Sequence, residues 1–312
     1  MKIGSARRDR AAVSPVMMKA EPATRMLPPR RRLWLAVCLA VMWSESCFVH
    51  HRRTPPPGNV ANRPLLNASK QELIERIRRA FDPVRSFRMR ADMSPAVGKL
   101  YGGELTEYAT VRAYVLFLRP DDIRVLGLDP VLHSSTIFDM VSTGSEFRVY
   151  IPSKNRFVTG DNNAPPSSPK PLENMRPEAF LHSLIVEPPA EGDLTLLEDD
   201  TDESKAVYIL FMAAGEPGQL HFTRAVYFDR YSLSIVRQKS FDPEGDIVSE
   251  TDYGDWKPYG EISYPSVITI ERPKEGYEVT MRVVEMTVNP PDVTAAKFTL
   301  PRPPGTQLTV LK

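Results

Sequence analysis

The sequence predicts a mainly β protein with two helices, and three observations predict it. Short β-branched and aromatic runs are broken at regular intervals by turn residues: Arg119-Pro120-Asp121-Asp122, Thr143-Gly144-Ser145 and Pro152-Ser153-Lys154-Asn155. About ten such runs occur without alternating with helical segments, which excludes Rossmann and TIM-barrel architectures. Thirty prolines in 312 residues cluster in loops and argue against a helical bundle.

At the start of the chain, Arg30, Arg31 and Arg32 precede an apolar run over residues 33–43, followed by Ser44, Glu45, Ser46 and Cys47. A basic flank, a short apolar region and small residues mark an export signal, and the run is shorter than the ~20 residues a bilayer span needs. Ser44 and Ser46 before Cys47 fit the cleavage box of a bacterial lipoprotein, in which the cysteine thiol becomes thioether-linked to diacylglycerol. Ser44 stands where that box usually carries Leu. Two alternatives stay open: Cys38, which leaves only residues 33–37 as the apolar region, and an uncleaved signal anchor in which Cys47 is an incidental thiol. Met18 and Met26 are alternative starts. The expected organisation is a signal peptide over 1–46, a Pro-rich tether over 47–68 and a folded domain over 69–312. Within the tether, His50-His51-Arg52-Arg53 reads as a solvated basic patch, because two adjacent His with no third ligand make no metal cage.

Ser69 with Glu72 three positions on is a capping box and opens a helix to about Phe81, with Leu73, Ile74, Ile77 and Phe81 on one face. Asp82-Pro83 stops it. Residues 86–93 alternate, Phe87, Met89, Ala91 and Met93 against Arg88, Arg90 and Asp92, as a half-buried strand does. Residues 111–118 carry apolar side chains on both faces apart from Arg112, so both faces must be covered. In the strand over 147–151, Phe147, Val149 and Ile151 point one way and Arg148 and Tyr150 the other, the second face being wet. Residues 161–171 form a low-complexity loop. Pro177 opens a second helix over 176–185 with Phe180, Leu181, Leu184 and Ile185 as its stripe. Further strands are expected over 206–212, 225–229, 233–237, 247–251, 267–271 and 277–284, with a turn at Asp242-Pro243-Glu244-Gly245.

The strand ending in Arg119-Pro120, the second strand with Arg124, and Val141-Ser142-Thr143-Gly144 before a strand ending in Tyr150-Ile151-Pro152 together resemble the core of the LolA/LolB family of periplasmic lipoprotein carriers and receptors. Thr143 replaces the family's usual Asp, while Gly144 supplies the positive φ that a tight turn needs. The resemblance covers roughly residues 69–312. It implies a curved antiparallel half-barrel sheet covered on its concave side by the two helices, enclosing an apolar cavity. The residues that would line the cavity are Phe87, Met89, Ala91, Val115, Phe117, Val125, Met140, Phe147, Val149, Ile151, Ile209 and Phe211. Which face of the 111–118 strand meets the cavity is left open.

Reactive constellations are missing: the sequence has no G-x-S-x-G, P-loop, H-E-x-x-H or Cys pair, and His133, His182 and His221 are scattered. The acidic run Glu198-Asp199-Asp200-Thr201-Asp202-Glu203 lacks the glycine and spacing of a calcium loop and reads as a solvated hairpin between two strands. Nine of 40 basic and three of 39 acidic side chains precede residue 47, leaving 31 against 36, a net of −5 that suits nucleic-acid binding poorly. The expected protein is therefore a non-enzymatic monomer without cofactor or metal, anchored to the outer membrane through lipidated Cys47 and facing the periplasm. Its partners would be lipoprotein acyl chains or phospholipid. The competing expectation is an envelope sensor that binds a partner protein with a filled core; a lipid-modifying enzyme ranks last for want of a nucleophile with a base.

Overall fold

Helix α1 (Lys70–Phe81) begins at the capping box: the Ser69 hydroxyl accepts from the Glu72 N–H (3.3 Å), and the Glu72 carboxylate accepts from the Ser69 N–H (2.7 Å). Leu73, Ile74 and Ile77 are buried, and Asp82 closes the last turn through its N–H to the Arg78 carbonyl. Helix α2 (Pro177–Leu184) starts on Pro177 and buries Phe180, Leu181 and Leu184. The computed structural model describes residues 64–98, 103–131, 135–162, 164–165, 168–216 and 218–311. The export signal, Cys47, most of the tether and His133 lie outside the described residues. Among the described residues no helix is long and apolar enough to cross a membrane.

Before α2 run β1 (Ser86–Gly98), β2 (Leu105–Glu107), β3 (Val111–Leu118), β4 (Asp122–Leu128), β5 (Thr136–Thr143), β6 (Glu146–Ile151) and β7 (Arg156–Asp161). After it come β8 (Leu194–Thr201), β9 (Ala206–Ala214), β10 (His221–Asp229), β11 (Ile235–Phe241), β12 (Ile247–Tyr259), β13 (Ile262–Arg272), β14 (Tyr277–Val288) and β15 (Gln307–Leu311). They form one open, curved sheet in the order β15-β7-β6-β5-β4-β3-β1-β14-β13-β12-β11-β10-β9-β8, with β2 on β1. The expected antiparallel sheet is in fact mixed, because β15 pairs with β7 in parallel. The chain crosses the back of the sheet after β14 and arrives at the free edge of β7 running in the same direction. Two smaller expectations also shift. Leu233 sits in a turn at φ 55°, so β11 starts at Ile235. The acidic run straddles the end of β8 and the hairpin beyond it, where Asp202 accepts from the N–H groups of Ser204 and Lys205.

Both helices bury their apolar stripes in the same core as Val111, Ala113, Val115 and Phe117 of β3, so they pack on the same face of the sheet, hereafter the inner face. The outer face of β3 is covered too, as its sequence requires. Val141 and Phe157 form a second cluster with Val293, Phe298 and Leu300 from the segment after β14, and Leu116, Leu118 and Tyr150 pack against it. The face of β6 expected to be wet is thus partly dry at Tyr150. Arg124 fastens this layer: its guanidinium makes two bonds to Asp139 on β5 (3.0 and 2.6 Å) and a third to the Lys297 carbonyl (2.8 Å).

Candidate functional site

The end of α2 leaves carbonyls without intrahelical donors, and sheet side chains satisfy three in succession. Gln238 Nε2 donates to the His182 carbonyl (2.7 Å), the Tyr253 hydroxyl to Ser183 (2.8 Å) and the Tyr264 hydroxyl to Leu184 (2.8 Å). Burial pushes both tyrosine hydroxyls above their ordinary range, so they stay protonated donors. Trp256 likewise gives its indole N–H to the Ile235 carbonyl (3.0 Å). The polar tips of all three aromatic residues are engaged, and what they turn towards α1 is carbon.

On the α1 side, Arg119 holds the chain as it leaves the helix. Its guanidinium donates to the carbonyls of Val84 (2.6 Å) and Phe81 (2.5 Å) and lies 3.8 Å over the Phe81 ring. Between these two fixed edges lies an apolar hollow of about 50 Å³, lined by Phe81, Val84, Phe87, Leu184, Ile185, Val186, Ile235, Tyr253, Trp256, Tyr264 and Met286, among others. An apolar cavity of about 150 Å³ is what accommodates benzene. The hollow as it stands is therefore too small to hold even a benzene ring.

The residues expected to line a cavity are mostly in the core beside it. Phe87, Met89, Ala91, Val115, Phe117, Val125, Met140 and Phe147 are at most 2% exposed, and with Val149 and the partly buried Ile151 they belong to one packed cluster. The rings of Phe87 and Phe117 stand 5.2 Å apart, and of the expected lining residues only Phe87 reaches the hollow. Ile209 and Phe211 require a correction. Tyr208, Leu210 and Met212 are the β9 side chains in the inner core, so alternation turns Ile209 and Phe211 to the outer face, where Phe211 meets the half-exposed Phe222 at 5.4 Å. Both alternating sets of β9 are apolar, and periodicity could not choose between them.

Tyr253, Trp256 and Tyr264 are site residues that the sequence reading missed, since it ended one strand at residue 251 and began the next at 267. A regular strand would put residues 253 and 256 on opposite faces. Asp255 between them adopts φ 51°, a left-handed conformation Asp tolerates, and both rings reach the same hollow.

Across the outer face, Lys239, Glu250, Glu271 and Glu278 stand in register on β11 to β14. Glu250 is paired with Arg237 (2.9 Å) and Lys239 (3.1 Å), and Glu278 accepts from the Thr280 hydroxyl (3.4 Å). Burial, then the neighbouring carboxylates of Glu250 and Glu278, push Glu271 up to about 7. Among the described residues no group of three His, Cys, Asp or Glu could hold a metal ion.

No protein-family model matches the chain, and no curated protein matches its sequence. Solved structures similar to it include a LolA superfamily protein from Nitrosomonas europaea, with 13% identity over 75% of this chain and 99% of that one, at a TM-score of 0.46. A DUF1329 family protein from Desulfovibrio piger shares 16% identity over 73% and 95% of the two chains, with a TM-score of 0.46. An outer membrane lipoprotein-sorting protein domain from Vibrio parahaemolyticus shares 12% over 73% and 94%, with a TM-score of 0.43. The first carries a name from the family that the motifs around Arg119-Pro120 and Tyr150-Ile151-Pro152 resemble. All these TM-scores lie below 0.5, so the functional reading is founded on the geometry of this chain.

Proposed function

We propose that this is a non-enzymatic protein of a bacterial envelope that takes the acyl chain of a lipoprotein or phospholipid between α1 and α2, and helps to deliver it to the outer membrane. Lipidated Cys47 would anchor it there facing the periplasm, and the two helices would close the concave side of the sheet. The observation that carries the reading is the hollow itself, a carbon-lined space of about 50 Å³ at the seam between the helices, walled by rings whose polar atoms are already bonded elsewhere. Each methylene sheltered there is worth about 0.8 kcal/mol, so widening the seam by a small shift of α2 is offset by a few carbons of chain. No covalent step is involved; release needs only a competing apolar phase.

Trp256 makes the reading testable, because the other two tryptophans, Trp34 and Trp43, both fall within residues 1–46. In the full chain with both of those changed to Phe, lipids brominated along the acyl chain should quench the remaining indole. No quenching at saturating lipid would end the acyl-chain reading. Palmitate labelling of the parent against Cys47→Ala tests the anchor, where equal labelling would count against it.

The solid core under β3 to β6 favours a second reading, an envelope protein that recognises a partner protein through the same fold. It predicts no copurifying lipid and an indole indifferent to brominated chains.

A further inference from the structure

The hollow does not end at Trp256. It shares Ala80, Ile235, Trp256 and Ser263 with an outer groove of about 300 Å³, whose α1 wall carries Arg76 and Arg79 and whose opposite wall carries Glu261. Residues three apart on a helix lie on one face, so the two guanidinium groups stand together over the groove. Arg79 gives its Nε to the Glu75 carbonyl (3.4 Å), Arg76 lies in the field of Glu72, and neither is held in an ion pair among the described residues. Both are exposed, whereas Ile74 and Ile77 on the same helix point into the core.

A carbon-lined hollow that opens into a groove with two cations and one carboxylate matches an amphiphile with an anionic head. Resting on the acyl-chain reading above, we infer that the ligand is an anionic phospholipid, its chain in the seam and its phosphate on Arg76 and Arg79. A phosphodiester has two charged oxygens, as a carboxylate does, but sets them in a larger tetrahedral group with two further, weakly accepting ester oxygens, which two guanidinium forks can flank. The groove is also larger than a bare carboxylate would need. The diacylglyceryl group of a lipoprotein carries no charge there, so this inference separates the two lipid classes that the proposed function leaves together.

The test uses the full chain with Trp34→Phe and Trp43→Phe, and three probes sharing one brominated acyl chain: lysophosphatidylglycerol, the free fatty acid and the monoacylglycerol. Lysophosphatidylglycerol should quench Trp256 at concentrations about tenfold lower than the monoacylglycerol does, the size expected of one charge-assisted bond, and added salt should shrink the difference. Arg76→Gln with Arg79→Gln should bring the ratio towards one, while Arg78→Gln, on α1 but outside the groove, should preserve it. Equal quenching by the phospholipid and the monoacylglycerol overturns the headgroup site and leaves the acyl-chain reading standing. Tighter binding of the fatty acid than of the phospholipid overturns the phosphate assignment, and no quenching by any probe overturns both.

Discussion

The two ends of the inner face differ in how their side chains meet. From β3 to β6, Val115, Phe117, Val125, Met140 and Phe147 are at most 2% exposed and interdigitate. Towards β11 to β13, Tyr253, Trp256 and Tyr264 stand around a hollow. The difference is one of freedom. Aliphatic side chains and phenylalanine have no directional bonds and can slide into any gap, so a core made of them closes on itself. A ring held by its hydroxyl or N–H to a backbone carbonyl keeps its orientation and cannot tip into the space beside it. Polar tethers on aromatic residues thus preserve an apolar vacancy that an untethered core would collapse.

The sharpest way to break this contrast is a charge at the packed end. Phe117→Asp should cost roughly 5 kcal/mol or more in urea unfolding, combining a lost ring with an unpaired buried carboxylate. A variant as stable as the parent would mean that the packed end is hollow after all. At the other end, Tyr264→Phe keeps the ring but strands the Leu184 carbonyl, with an expected loss of about 1–2 kcal/mol and a looser α2 terminus. If the tethers maintain the vacancy, this variant should also weaken quenching of Trp256 by brominated chains.

The carboxylate row on β11 to β14 adds a pH dependence of its own. Burial first, then Glu250, Glu278 and Asp252, raise Glu271 from 4.5 to about 7, with Arg237 opposing. The folded state therefore holds this proton more tightly than the unfolded chain does. Its contribution to stability is complete below about pH 4.5 and is lost as pH rises through 7. Glu271→Gln should remove that loss, gaining roughly 1 kcal/mol over the parent at pH 8 after solvent screening, and nothing at pH 4, as read from urea midpoints. The smallest effect on stability is expected from Ala80→Phe, which projects a ring from an exposed position into the mouth. It should stay within about 0.5 kcal/mol of the parent while abolishing most of the quenching.

Much of the packed end is legible in the sequence, because local rules agree there with tertiary ones. Ser69 and Glu72 set the start of α1, alternation from Phe87 to Met93 set the inner face of β1, and the two apolar faces of β3 demanded two covers. The hollow was not legible. It depends on a left-handed Asp255 that upsets the face count, and on hydroxyl partners 70 to 80 residues away in sequence for Tyr253 and Tyr264. Neither leaves a periodic trace. On β9 the pattern was present twice over, apolar on both faces, and only packing could decide that Tyr208, Leu210 and Met212 take the core.

The strap formed by residues 293–300 covers the outside of β3 to β7 only, while Leu194, Leu196 and Phe222 at the far margin are half or more bare. A sheet laminated on both sides along one portion and on one side elsewhere does not flex evenly. Deuterium should enter the amides of β8 and β9 well before those of β3 and β4. Any widening of the seam would then come from the thin margin swinging outward while the thick one keeps still.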